Sequence, residues 1–391
     1  MKRIVVSLAL GALAGCNFDA ALDDYCQNVS CDGGALGGGA GGRGGGSATG
    51  GGSATGGGGS ATGGGSAVCC TDLAAGASGV CGVLSDGTVT CFGDNSSGQL
   101  GPTPRTLTST PGGTLYMFGG PAEHVAIGTH QVCTITTAGS VACRGWGFWG
   151  DANGATDAGT ALVVVNNVTA HQLSIGGDAR NPNDNFDIGL DCAPQTNGAI
   201  SCWGYDGRVS YPYGLRTWVS GRSVSVGSNF QCGVLDDAGV QCLGLRFTSA
   251  PAFSGLPPAL EVTVGAAHAC IRSSDNHVWC WGSNARLASN SPTGAAAQIP
   301  NLDNVVQVAA GTFHTCALQA NGDVTCWGDN LATVGGPSPY TWDAGASKIA
   351  VSSDTTCALQ ADGVRCRGAR GGLNVRNGTD AGTPVLMPFD L

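Results

Sequence analysis

The clearest alternation of apolar and polar positions lies between Cys316 and Cys326. The chain there reads CALQ, breaks at a polar turn centred on Asn321 and Gly322, and resumes with Val324 and Cys326 at alternate places. A period of two interrupted by an Asn-Gly turn predicts a β-hairpin whose two cysteines lie nearly opposite each other. The same spacing recurs at Cys81/Cys91, Cys133/Cys143, Cys192/Cys202, Cys232/Cys242 and Cys270/Cys280, and a copy one residue shorter stands at Cys357/Cys366. In all seven copies a glycine follows the second cysteine by two places: Gly93, Gly145, Gly204, Gly244, Gly282, Gly328 and Gly368. Five copies also carry a glycine five residues before the first cysteine, at Gly76, Gly128, Gly227, Gly265 and Gly311, with Asp187 and Ser352 at that spacing in the other two.

Successive first cysteines are 52, 59, 40, 38, 46 and 41 residues apart. That is the period of propeller blades, and it is too long for leucine-rich or hexapeptide solenoids. The glycine, threonine and valine content disfavours helical repeats. The expectation is an all-β chain in which residues 68–391 form one seven-bladed β-propeller. Directly opposed, non-hydrogen-bonded strand positions sit about 4.5 Å apart at Cα, which a disulfide can span. The seven pairs are therefore expected to be disulfides within blades, with buried free thiols as the alternative. The tail from Thr383 to Leu391 reads TPVLMPFDL, like a strand that opens a repeat, while the first copy starts abruptly near Val68. Pairing of this tail into the first blade is expected to close the ring.

Ahead of the repeats, Lys2 and Arg3 precede an apolar run from Ile4 to Ala14, too short to span a bilayer but long enough for a signal-peptide core. The run ends Leu13, Ala14, Gly15, Cys16, which resembles the lipobox of bacterial lipoproteins. Residues 1–15 are thus expected to be a leader, with Cys16 acylated and anchoring the mature chain to a membrane. Asn17 in place of an aspartate implies, by the same resemblance, the outer membrane. Residues 16–32 form a short cysteine-containing segment, and residues 33–67 are almost pure Gly, Ser, Ala and Thr. Such a stretch has too little apolar surface to fold, so a disordered, flexible stalk is expected.

Composition narrows the partners. Only 11% of residues are charged and the formal net charge is −10, while Lys348 is the single lysine after the first three residues. No basic stripe is available for phosphates, so nucleic acid is not an expected partner. Nineteen cysteines fit an oxidising compartment, and their spacing matches no zinc pattern. Four of them, Cys26, Cys31, Cys69 and Cys70, allow three pairings among themselves.

The residues that discriminate among propellers are CWG at Cys202, Cys280 and Cys326, His268 and His314 each two places before a cysteine, and GDNSSGQLG from Gly93 to Gly101. These resemble repeats of the regulator of chromosome condensation family. The tryptophan is replaced by Phe92, Arg144, Leu243 and Arg367 in the other copies, and GQLG occurs once. The resemblance implies a propeller that binds proteins through its loops. The family's eukaryotic namesake exchanges nucleotide on a small GTPase, a setting that a lipidated, acidic, disulfide-rich chain would not meet.

No catalytic constellation, metal site or cofactor motif stands out, and an enzyme is not expected. His268 and His314 adjoin cysteines that disulfides would silence as nucleophiles, which leaves them a structural hydrogen-bonding role. Asn181, Asn183, Asn185 and Asp187 alternate as calcium ligands do, yet the segment lacks the carboxylates and turn glycine of a calcium loop, and a solvated Asn-rich loop is the plainer reading. Aromatic and arginine residues gather after the second and third cysteine pairs: Trp146, Phe148 and Trp149, then Tyr205, Arg208, Tyr211, Tyr213, Arg216 and Trp218, with Arg222 beyond. Read as loops on one face, they have the composition of an interface hot spot; the same rings could instead pack between blades. The leading expectation is a monomeric, membrane-tethered binding or adhesion module for a protein or glycan. An envelope enzyme acting at the propeller channel and a purely structural envelope protein are the alternatives.

Overall fold

The computed structural model describes residues 70–386 apart from 77–78, 94–97, 101–112, 116–119, 146–158, 177–178, 181–186, 189, 206–209, 229, 245–254, 283–295, 329–339, 343–344, 354, 362 and 369–384. Cys16, the leader and the Gly-rich stretch lie outside the described residues. Seven antiparallel sheets surround a central channel, each opening with its innermost strand. Blade one holds Cys70–Gly76, Gly79–Leu84, Val89–Gly93 and Gly113–Leu115; blade two holds Ala122–Ile127, Gln131–Thr136, Ser140–Gly145 and Gly159–Thr169. Blade three holds Ser174–Ile175, Leu190–Pro194 and Ala199–Tyr205, and its outer strand is the first part of Ser210–Val226. The second part of that strand is the inner strand of blade four, followed by Phe230–Leu235 and Val240–Gly244. Blade five holds Ala259–Val264, His268–Ser273, Val278–Gly282 and Ala297–Gln298; blade six holds Val305–Ala310, His314–Gln319, Val324–Gly328 and Tyr340–Trp342; blade seven holds Lys348–Val351, Thr355–Gln360, Gly363–Gly368 and Val385–Leu386.

The cysteine hairpins form as their alternation predicts. Each pair is directly opposed in register, bridged, and 4.0–4.1 Å apart at Cα. In six blades the turns are three-residue loops whose last residue adopts positive φ: Gly87, Gly139, Gly198 and Gly322 in four, Ala238 and Asn276 in two more. Its carbonyl also accepts the N–H that enters the next blade, as in Ala259 N to Ala238 O at 2.9 Å, so the turn fixes the junction as well as the hairpin. Ala238 holds a φ of 65° where glycine is strain-free. Ala238→Gly is expected to stabilise the fold by about 1 kcal/mol, read from denaturant midpoints, with an unchanged m-value.

Ring closure differs from the sequence-based expectation. The described part of the tail, Val385–Leu386, pairs with Gly363–Gly368 as the outer strand of blade seven. Blade one has its own inner strand, Cys70–Gly76, in which buried Leu73 takes the place held by Val125 in blade two and Ile349 in blade seven. That leaves the tail no vacant inner position to fill. Closure rests on packing instead. The buried tryptophans of the CWG copies each lie against the disulfide of the preceding blade: Trp203 with Cys133 and Cys143, Trp281 with Cys232 and Cys242, and Trp327 with Cys270 and Cys280. Phe92 does the same against Cys357 and Cys366, joining blade one to blade seven.

Cys70 carries a free thiol, which donates to its neighbour Asp72's carbonyl oxygen at 3.1 Å, and burial pushes its pKa up to about 12. The other members of its pairing set, Cys26, Cys31 and Cys69, lie outside the described residues. The blade-three counterpart of the inner glycine is Gly176 and not Asp187. An insertion carrying the small hairpin Ala179–Arg180/Asp187–Ile188 separates the inner strand from the cysteine and shifts the spacing.

Candidate functional site

The inner strand of each blade ends at the channel, and aligning the blades on that end exposes a ring. Gly76, Gly128, Gly176, Gly227, Gly265, Gly311 and Ser352 line the channel, each preceded by a small or aliphatic residue: Ala75, Ile127, Ile175, Val226, Val264, Ala310 and Val351. Glycine is demanded by proximity, because a Cβ on Gly311 would lie 1.8 Å from Ser352 O and one on Gly227 would lie 2.2 Å from Gly265 O. The resulting cavity is about 90 Å³, and Ser228, Thr312 and Ser353 also line it. No ionisable side chain is among the described lining residues.

An inner strand is also a sheet edge, so its channel-side N–H groups need acceptors. They receive them from the preceding blade. Four residues before the ring glycine, Asp72 Oδ2 accepts from Val125 N at 2.9 Å, Glu261 Oε2 from Val308 N at 3.3 Å and Gln307 Oε1 from Ile349 N at 2.8 Å. Two residues before it, Ser174, Ser225 and Thr263 accept from Val226, Val264 and Ala310 at 2.8–3.0 Å. Farther out, His268 Nε2 and Thr315 Oγ1 share a hydrogen bond of 2.7 Å, and His314 Nε2 and Thr356 Oγ1 another of 2.7 Å. Burial holds the His314 pKa down at about 4, so its imidazole is neutral. The two histidines thus link blades, as their position beside disulfides implied.

In blade two, Gln131 takes the histidine position and donates to Asp191 Oδ1 of blade three at 2.7 Å. Asp191 is 2% exposed, and burial pushes its carboxyl up to about 8, against the opposing pull of the Gln131 amide. Its folded pKa thus lies above the unfolded value of about 3.9, so the folded state retains a proton that the unfolded state releases. Stability from this group is complete below about pH 4 and declines as pH rises toward about 8. Asp191→Asn keeps the acceptor without the charge. It is expected to raise stability at pH 8 by roughly 2–5 kcal/mol and to flatten the slope between about pH 4 and pH 8, measured by urea unfolding across that range. An unchanged slope would contradict the assignment.

The charged residues at closure form a separate cluster. Asp72 of blade one contacts Lys348 Nζ of blade seven through Oδ1 and His124 Nδ1 of blade two, at 2.7 Å, through Oδ2. Burial alone would raise the Asp72 pKa, but the charges and hydrogen bonds of His124 and Lys348 pull it well below the usual carboxylate range. Position four before the ring glycine is polar in all seven blades: Asp72, His124, Gln172, Ser223, Glu261, Gln307 and Lys348. Aligning the copies on this glycine in place of the cysteine is the signal that would have found them.

The aromatic group read from the sequence divides. Trp146, Phe148, Trp149 and Arg208 lie outside the described residues. Tyr211, Tyr213, Arg216 and Trp218 are not in a loop: they belong to Ser210–Val226, paired with Ala199–Tyr205 as the outer strand of blade three, and Tyr205 pairs with Ser210 at the end of that hairpin. Arg222 lies on the blade-four part of the strand and donates from Nη2 to Ala259 O at 2.5 Å. Among Asn181, Asn183, Asn185 and Asp187, only Asp187 is described, as strand backbone.

Sheets of this connectivity, arranged around a channel and stapled hairpin by hairpin, define a seven-bladed β-propeller of the disulfide-bonded kind. Residues 70–99, 261–286 and 305–332 match the regulator of chromosome condensation (RCC1) repeat. Three of the chain's seven blades thus carry segments similar to this repeat. Its fold is similar to that of Prp20p from Saccharomyces cerevisiae, a protein that binds Gsp1p and histones (TM-score 0.60, 16% identity, 76% of this chain and 85% of that one). It is likewise similar to human WBSCR16 (TM-score 0.59, 16% identity, 74% and 86%). A third similar structure is the ectodomain of the receptor kinase CR4 from Physcomitrella patens (TM-score 0.52, 22% identity, 77% and 72%).

Proposed function

We propose that this propeller is a tethered extracytoplasmic binding module, anchored at an outer membrane through acylated Cys16 and a Gly-rich stalk, that engages a protein partner with one face. The observation that carries this reading is the asymmetry of its connections. All third strands end at the same edge of their blades as the inner strands, so the connections of variable length leave on the channel-mouth side. The opposite side carries short hairpin turns, three residues long in six blades, and exposed Asp86, Asp236, Asp237 and Asp275. In the sequence, Arg105, Arg208, Arg246, Arg286, Arg370 and Arg376 each follow a third strand. Arginine and tryptophan are the residues that dominate interface energetics. Binding of Gsp1p and histones by Prp20p is a precedent for the fold, and the partner here is expected to be an envelope or secreted protein.

The test is capture from envelope and culture extracts on the purified full chain, compared with Trp146→Ala and Trp149→Ala and with Asp86→Lys and Asp237→Lys on the opposite face. Loss of the captured protein with the tryptophan variants, and retention with the lysine variants, is the expected result. The reverse pattern would refute the face assignment.

A further inference from the structure

We propose that Lys348 and Asp72 condense to an isopeptide bond that closes the propeller ring covalently between blades seven and one. The two residues are 276 apart in sequence and adjacent in space, on the inner strands that flank the closing junction. Lys348 Nζ contacts Asp72 Oδ1, and their side chains are 14% and 3% exposed. The other carboxylate oxygen, Oδ2, is held by two groups: Val125 N–H at 2.9 Å and His124 Nδ1 at 2.7 Å. An amine on one oxygen and paired donors on the other are the parts that an acyl transfer needs. Leu73, Phe92 and Ala350 belong to the apolar cluster at this junction.

Residue choice supports the same chemistry. Beyond its third residue the chain contains arginines but only one lysine, and that lysine stands at this buried contact. For a plain buried ion pair, arginine is the better partner, since its planar guanidinium binds carboxylates bidentately and is weakly hydrated. Lysine differs in that burial can neutralise it, which makes it a nucleophile. A buried ion pair is also costly to desolvate, and an amide removes both charges. The folded ring holds amine and carboxyl in contact, and effective molarities of roughly 10⁵–10⁸ M in such settings drive condensations that are negligible between free molecules.

The step balances without a co-reactant. The first step is uphill and sets the rate: against the charges that favour the carboxylate, a proton passes from the Lys348 ammonium to Asp72 Oδ1, giving an amine and a carboxylic acid in contact. The amine attacks Cγ, and negative charge builds on Oδ2 between Val125 N–H and the His124 imidazole. The nitrogen gives a second proton to Oδ1, the Cγ–Oδ1 bond breaks, and one water departs. Nitrogen keeps its last proton as the amide N–H, and Oδ2 becomes the amide carbonyl. His124, in contact with the reacting carboxyl, is the catalytic residue.

The experiment is peptide mapping of the purified full chain after complete reduction and alkylation, so that no disulfide joins fragments. The expected result is a branched product joining the segment that contains Asp72 to the one that contains Lys348, lighter than the two together by one water. Lys348→Arg keeps the positive charge but cannot condense. It is expected to fold, to give two unlinked segments, and to run more slowly on a reducing denaturing gel because the loop is open. His124→Gln is expected to link more slowly after refolding. Recovery of the two segments from the wild-type chain only as separate, unmodified peptides would overturn the proposal and leave an ordinary ion pair.

Discussion

Complete reduction of the blade disulfides is expected to leave the chain unfolded in buffer without denaturant, whereas the native protein should resist the same thiol reductant for hours. Each bridge closes a loop of sequence separation 10, or 9 in blade seven. In the chain-entropy account, a loop of that size contributes about 2.5 kcal/mol. The bridges sit in different blades with separate surroundings, so their effects add to about 18 kcal/mol, more than the 5–15 kcal/mol that an ordinary fold has to lose. Resistance in the native state follows from burial: the fourteen bridged cysteines are 0–5% exposed, so exchange must wait for a blade to open. Far-ultraviolet circular dichroism after reduction in denaturant and dilution, beside thiol counting of the native protein, checks both halves. A reduced chain that keeps its β signal would contradict the ledger.

The second large effect is expected from Trp327→Ala. Trp327 is 2% exposed and packs against blade five through Cys270, Cys280, Val278 and Leu302, so truncation opens a void at a blade junction that the stapled hairpins cannot collapse to fill. The expected loss is about 3–5 kcal/mol by chemical denaturation. Trp327→Phe should cost markedly less, because Phe92 serves the same purpose at the closing junction. Equal losses for alanine and phenylalanine would mean that the indole has a role beyond filling space. Arg144 and Arg367 occupy this position in blades two and seven, where burial lowers the guanidinium pKa.

The hairpins, their bridges and the number of blades are legible from the chain because they depend on residues about ten apart, and strand alternation records such pairing directly. What escapes the sequence is set by contacts between blades. Asp72, Glu261 and Gln307 look like stray polar residues until the inner strand is recognised as a sheet edge whose N–H groups point at the preceding blade. The tail is ambiguous for a related reason: TPVLMPFDL fits an inner or an outer strand equally, and Leu73 in a completed inner strand of blade one excludes the first choice. Asp187 falls at the glycine spacing because an insertion separates Gly176 from the blade-three cysteine. Tyr211 to Trp218 read as loop because their hydrophobicity does not alternate cleanly, yet the backbone continues as strand from Ser210 to Val226 through irregular register.

The stapled ring depends most directly on the pairing of its cysteines. Digestion of the non-reduced protein at acid pH, with mass spectrometry of the linked fragments, should return Cys81–Cys91, Cys133–Cys143, Cys192–Cys202, Cys232–Cys242, Cys270–Cys280, Cys316–Cys326 and Cys357–Cys366. A bridge between cysteines of two different hairpins would contradict the stapled ring.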